Sequence, residues 1–201
     1  MARRRFERKV DFRPCRKLFV LAVEGEKTEH EYFALFNAYN ALVHTKCLKG
    51  KGSAPRHVLQ RIKKYLKEER LKPTDEAWVV VDRDNWKEAQ LDELFAWSKS
   101  ADNFGMALSN PKFEYWLLLH FEDGAGLATH SQCSEKLRQY LPDYDKSIDV
   151  RQFTITRITQ AIARAQKRDT PPCTTWPHAS GVTTVYRLVS NILKEEMPVL
   201  P

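Results

Sequence analysis

Leu18-Phe-Val-Leu-Ala-Val23 is an uninterrupted apolar run, followed at once by Glu24-Gly25 and then by Tyr32, Phe33, Leu35 and Phe36 at helical spacing. A short run of this kind, rich in β-branched and aromatic residues, reads as a strand buried on both faces, followed by a tight turn and a helix. The pattern recurs. Ala77-Trp-Val-Val-Val81 ends at Asp82, and Leu91, Leu94, Phe95 and Trp97 then predict a helix within 86–99. Asn103 to Leu108 reads as a third, short strand. Between the first two strands, Lys46 to Pro55 holds two glycines and a proline and reads as a loop, and a helix with a basic outer face follows to about Arg70. Ser109-Asn110-Pro111 places a polar cap and a proline where a helix running through His120 would begin. Further helices are expected over 132–141, 154–168 and 182–193. Strands alternating with helices predict an α/β fold: a mostly parallel central sheet flanked by helices, with additional C-terminal helices.

The chain has 201 residues, 42% hydrophobic and 29% charged, with 7 Gly and 10 Pro, which excludes disorder and low-complexity architectures. The expected organisation is a basic arm over residues 1–17 and a single α/β domain over 18–201. No apolar run approaches the ~20 residues that span a bilayer, and the N-terminus lacks the apolar core of a signal peptide, so no membrane contact and a cytosolic location are expected. Cys15, Cys47, Cys133 and Cys173 form no C-x-x-C pair, and the six histidines form no H-x-x-x-H pair. Reduced thiols are expected, and oxygen ligands remain the plausible donors for a metal.

The net charge of +7 is unevenly placed. Residues 1–17, including Arg3, Arg4 and Arg5, carry +6, and residues 46–72, including Arg56, Arg61, Lys63, Lys64 and Lys67, carry +8, so the remainder carries −7. Clustered Lys and Arg neutralise phosphates and release counterions, which points to a nucleic-acid partner, DNA or RNA. A solvated helix face and a solubilising tail explain the same two blocks without a partner.

The acids fall at the strand ends. Glu24 and Glu29 follow the first strand, Asp82 and Asp84 the second, and Glu114 the third. In an open parallel sheet the C-terminal ends of the strands share one edge, and ligands bind in the crevice there. Carboxylates gathered in such a crevice repel one another unless some protonate or a hard cation binds, and Mg²⁺ accepts them while keeping water and substrate phosphates as further ligands. Taken singly, each acid also has an ordinary reading, as a helix cap, a turn residue or a partner for a helix dipole. Gly25-Glu-Lys-Thr28 is not a P-loop, because no glycine lies five residues before Gly25 and Glu26 separates Gly25 from Lys27.

Val23-Glu-Gly-Glu-Lys-Thr-Glu29, Val80-Val-Asp-Arg-Asp-Asn85 and Ser109-Asn-Pro-Lys-Phe-Glu-Tyr-Trp-Leu-Leu-Leu-His-Phe121 together resemble the RloB-like family. Tyr144-Asp-Lys146 and Thr183-Thr-Val-Tyr-Arg-Leu-Val189 are similar to its later motifs, so the resemblance runs from about Leu18 to Leu193. It implies a Toprim-like domain from bacterial restriction-modification and abortive-infection loci, often encoded beside an ATPase of the AAA or ABC type. The implied activity is Mg²⁺-dependent nuclease action, with Mn²⁺ as a possible substitute, in defence against phage. On this resemblance Glu24 is the general acid or base beside the metal. Asp82 and Asp84 are metal ligands, Glu29 is a further metal-side acid, and Lys27 approaches phosphate. Glu114 and Lys146 match motif positions, the first assigned to catalysis and the second, with Arg83, to the nucleic acid. Asn110 and Trp116 read equally as a helix cap and a core residue, and His120 as a core histidine. The alternative function is a non-catalytic nucleic-acid-binding or regulatory subunit of a defence complex.

Overall fold

The computed structural model describes residues 16–50, 52–84 and 86–195. Five strands form one sheet: β1 (Lys17–Val23), β2 (Val43–Cys47), β3 (Glu76–Asp82), β4 (Phe104–Asn110) and β5 (Val182–Thr183). Their order is β2-β1-β3-β4-β5, parallel throughout except for the antiparallel β4–β5 pair. Parallel neighbours cannot be joined by a hairpin, so helices make the crossovers. These are α1 (Thr28–Ala34) with α2 (Phe36–Tyr39), then α3 (Pro55–Glu68), then α4 (Glu88–Ser98). Beyond β4 lie α5 (Phe113–Leu118), α6 (His130–Tyr140), a 3-10 turn at Val150–Gln152, α7 (Ile155–Arg168) and α8 (Val185–Lys194).

The period-two alternation of side chains splits each central strand between two cores. Phe19, Leu21, Val23, Trp78 and Val80 face one, with α1, α5 and the C-terminal helices, while Val20, Ala22, Ala77, Val79 and Val81 face the other, with α3 and α4. The expected mixed α/β sheet with added C-terminal helices is therefore what the chain builds.

Three local expectations are corrected. No strand was expected between α1 and α3, yet Val43-His-Thr-Lys-Cys47 pairs with β1. Its exposed His44 and Lys46 disguise it, because an edge strand needs only one apolar face. The Asn37 amide donates to the Thr45 carbonyl at 3.1 Å and accepts its N–H at 2.7 Å, which occupies two backbone groups an edge strand would leave open. Second, Ser109 and Asn110 are not a helix cap. They close β4, where they pair with Thr183 and Val182, and the helix starts only at Phe113. The Asn110 amide instead donates to the carbonyls of Pro177 and His178. Third, Val182 and Thr183 belong to β5 and not to the last helix.

Trp116 and His120 are core residues. The His120 Nδ1 faces the carbonyls of Trp116 and Leu117, the Nε2 faces the Tyr32 hydroxyl at 3.1 Å, and burial lowers its pKa to about 3, so the ring is neutral. Cys47, Cys133 and Cys173 are free thiols. No helix among the described residues is long and apolar enough to cross a membrane. Residues 1–15, with Arg3, Arg4 and Arg5, lie outside the described residues, and Lys17 opens β1.

Candidate functional site

The C-terminal ends of β1, β3 and β4 meet around a cavity of about 420 Å³ lined by Glu24, Lys27, Glu29, Asp82, Glu114 and Lys146, among others. Backbone geometry sets the first contacts. Glu24 continues the β1–β3 ladder through its N–H to the Val80 carbonyl, and its Oε2 accepts the Asp82 N–H at 3.0 Å. The carboxylate of one strand is thus fastened to the end of the next. Glu29, buried in the first turn of α1, accepts the Gly25 N–H at 2.9 Å. A Cβ on Gly25 would overlap that carboxylate, which explains a glycine four positions before the second glutamate.

Glu114, on the first turn of α5, is the fourth buried or half-buried acid. Unlike the others it has cations. Lys146 Nζ lies 3.0 Å and Lys112 Nζ 3.9 Å from its Oε1, and the Tyr144 hydroxyl donates to the same oxygen at 3.0 Å. Lys146 has a left-handed backbone, φ 63°, and its carbonyl accepts the Thr28 hydroxyl at 2.7 Å, which ties this loop to the start of α1.

The electrostatics divide the acids into two groups. Burial raises Glu24 to about 7, with Asp84 and Glu29 adding to the rise and the Asp82 N–H opposing it. Burial likewise raises Glu29 and Asp82; Glu114 adds to both, and Asp82 is raised further by Glu29 and Glu24. Burial pushes Glu114 upward too, but Lys112 and Lys146 outweigh it and hold this acid below its ordinary value. Lys146 also lowers Glu29, but not enough to offset burial, so three acids stay raised and only Glu114 is held down by its paired lysines.

Their chemistry suits a hard cation, since all are oxygen donors. Among the described residues no three His, Cys, Asp or Glu are grouped so that they could hold a metal ion by themselves. Mg²⁺ does not require that, because it usually takes one or two carboxylates and completes its shell with water and substrate phosphate. Glu24 and Asp82 are the two acids that a backbone contact brings together, and they could hold such an ion.

Other expected site residues fall elsewhere. Asp84 does not line the cavity; it has φ 36° and its Oδ1 is 3.7 Å from His130 Nε2. Arg83 donates to the Trp86 carbonyl and lies over the Trp176 ring. Arg61 donates to the carbonyls of Val23, Gly50 and Gly52, so it clamps the loop after β2 to the end of β1. Arg56, Lys63, Lys64 and Lys67 are exposed on the outer face of α3, and Lys64 is 3.9 Å from Glu68. Thr28, Lys112 and Tyr144 join the site without having been assigned a role. All three sit inside the family-like motifs, but nothing in residue spacing joins Tyr144 to an acid 30 positions away. A larger cavity of about 670 Å³ lies at the opposite edge of the sheet, where Lys17 pairs with both Glu76 and Glu195. It holds no comparable set of uncompensated acids.

A parallel-rich α/β sheet with an acid-lined crevice at its strand ends defines the class of protein. The family model described as RloB-like protein matches residues 19–192, and the chain belongs to the RloB-like family. No curated protein and no solved structure matches the chain.

Proposed function

We propose that the protein is a Toprim-like, Mg²⁺-dependent nuclease that cleaves phosphodiester bonds of DNA or RNA in bacterial phage defence, controlled by a partner ATPase. The observation that carries the chemistry is the crowding of Glu24, Glu29 and Asp82, all with raised pKa, beside a Glu114 already matched by lysines. The defence role and the ATPase rest on family resemblance alone.

In this reading Glu24 and Asp82 hold the ion, and Glu29 supports them. Bound there, Mg²⁺ would polarise the phosphoryl oxygen and stabilise charge developing at the scissile phosphate. One Glu24 oxygen is engaged by the Asp82 N–H, and its pKa of about 7 suits it to hold or release a proton near neutral pH. Lys146 and Lys27 bring positive charge to the walls of the same cavity. Glu114 positions Lys146 through their 3.0 Å contact.

A second reading, a non-catalytic nucleic-acid-binding or regulatory subunit, draws on one observation: Arg56, Lys63, Lys64 and Lys67 are exposed on the outer face of α3, away from the acids. Calorimetric titration of Mg²⁺ and Mn²⁺ separates the two, with wild type beside Glu24→Gln and Asp82→Asn and a parallel cleavage screen on DNA and total tRNA. The nuclease reading expects metal uptake and cleavage that both vanish in the variants while nucleic-acid binding survives. Binding without metal uptake or cleavage by the wild type would select the regulatory subunit.

A further inference from the structure

Charge changes sign along the C-terminal edge of the sheet. In spatial order the edge presents Lys49 after β2, Glu24 after β1, Asp82 at the end of β3, and Lys112 and Glu114 after β4, with Lys146 beside Glu114. It is basic at one end, acidic in the middle and basic-compensated at the other. Three strand spacings separate its ends, about 14 Å.

The β2 end holds a second cavity, of about 410 Å³, lined by Lys27, His30, Lys49 and Arg61 together with Glu26 and Glu31. It shares the Gly25-Glu26-Lys27 wall with the acidic crevice. Its charges are unequally occupied. Glu31 accepts the Ser147 hydroxyl and the Ile148 N–H, and Arg61 is committed to three backbone carbonyls. Lys27 and Lys49 are exposed, and their ammonium groups make no hydrogen bond or ion pair among the described residues. His30 reports the local field, because burial and the charges of Arg61 and Lys49 all lower its pKa. The Arg61 clamp holds the loop at Gly50 and Gly52, which fixes the backbone beside Lys49.

We propose that this second cavity is an anion subsite in which Lys49 and Lys27 take the backbone phosphate next to the one cleaved, on a nucleic-acid strand laid along the sheet edge. The proposal rests on the nuclease reading for the word "cleaved", but the phosphate contact itself does not. It differs from the expectation that the outer face of α3 does the binding, because Lys49 and Lys27 lie beside the acid-lined crevice. A polyanion held at both basic ends would be brought across the acids between them, whose repulsion a bound cation would remove.

The test uses the full chain in EDTA, with fluorescence anisotropy of a labelled oligothymidylate, an oligouridylate and a short DNA duplex across a salt series. Wild type is compared with Lys49→Ala, Lys27→Ala/Lys49→Ala, Lys63→Ala/Lys64→Ala and Asp82→Asn. Lys49→Ala is expected to weaken binding about three- to tenfold and to lower the salt slope by about one, and the double variant by about two. Asp82→Asn should keep wild-type affinity or exceed it, because it removes a negative charge. Unchanged affinity and slope in both Lys49 variants, or no binding of any probe by the wild type, would overturn the subsite. Circular dichroism confirms that each variant is folded. Metal titration of the same wild-type sample is independent: lysine effects without metal uptake would retain the phosphate contact and sink the nuclease reading, whereas metal uptake without lysine effects would do the reverse.

Discussion

The crevice and the junction of α7 and α8 both bury carboxylates, and they treat them in opposite ways. At the junction of α7 and α8, Asp169 accepts the Cys173 N–H at 2.8 Å, the Tyr186 hydroxyl at 2.9 Å and Arg187 Nη2 at 2.7 Å. Burial pushes its pKa up, but the Cys173 N–H, Arg187 and Tyr186 outweigh this and hold it below its ordinary value. In the crevice, Glu24, Glu29 and Asp82 are buried or half-buried with no cation of their own to outweigh burial, and all three are raised. Asp169 comes with its cation in the same chain. Acids whose burial is not offset destabilise the site, and any cation bound there would relieve that cost.

The sharpest break between the regions should come from mutation. Arg187→Ala leaves Asp169 buried and unmatched. Because Arg187 is about a third exposed, the expected loss is about 2–3 kcal/mol, below the full cost of breaking a buried pair. Asp82→Asn should leave the metal-free protein at pH 8 as stable as wild type or more so, while Mg²⁺ uptake disappears. Denaturant melts in EDTA test both, and a marked loss of stability in Asp82→Asn would mean that the crevice acids serve the fold.

Glycine substitutions extend the contrast. A Cβ on Gly105 would strike the Trp78 ring, its cross-strand neighbour. That ring is fixed in the core, so Gly105→Ala should cost about 1–3 kcal/mol by overpacking. The nearest atoms to a Cβ on Gly25 belong to the carboxylate at the far end of Glu29. Gly25→Ala should therefore cost under ~1 kcal/mol while it displaces a crevice acid and weakens Mg²⁺ binding severalfold. Equal losses of stability in the two variants would erase the distinction.

The pH dependence should have opposite signs in the two regions. Glu24 is raised from 4.5 to about 7, so the stability linked to its proton is fully present below about 4.5 and is lost as pH rises through about 7. Asp169 is lowered from 3.8, so its contribution is present above that value and is lost as pH falls through the depressed pKa. Melting in EDTA between pH 5 and 8 should show the crevice contribution declining as pH rises, and added Mg²⁺ should raise the melting temperature more at pH 8 than at pH 5. The same upward Mg²⁺ shift at pH 5 would argue that protons and metal do not compete there.

The smallest structural effect is expected for Lys146→Ala. Its side chain is 68% exposed, and Lys112 still faces Glu114. Stability should change by under ~1 kcal/mol, whereas cleavage should fall at least tenfold. Wild-type cleavage by this variant would remove Lys146 from the site.

What could be read from residue order alone was set by local physical rules. Leu18–Val23 and Ala77–Val81 declare themselves as central strands because burial on both faces demands continuous apolar residues. From their alternation with helices followed the shared edge and the meeting of Glu24 with Asp82. Edge elements escaped the same logic. β2 shows polar His44 and Lys46, and β5 is two residues long, too short for any period. Asn110 and Pro111 carry the local chemistry of a helix start, but the sheet overrode it by pairing Asn110 with Val182.

The sequence by itself determined the α/β class, the central strands and the meeting of Glu24, Glu29, Asp82 and Glu114 at their ends, because these follow from burial periodicity and from strand ends; Asp84, expected beside them, does not line the cavity. Only the tertiary structure decided which charges remain available. It matched Glu114 with Lys146 and Lys112, committed Arg61 to backbone carbonyls, and left the Lys27 and Lys49 ammonium groups without an ion pair or hydrogen bond among the described residues. Compensation of charge falls off over a few ångströms, and residues 32 or 38 positions apart acquire such distances only when the chain is packed.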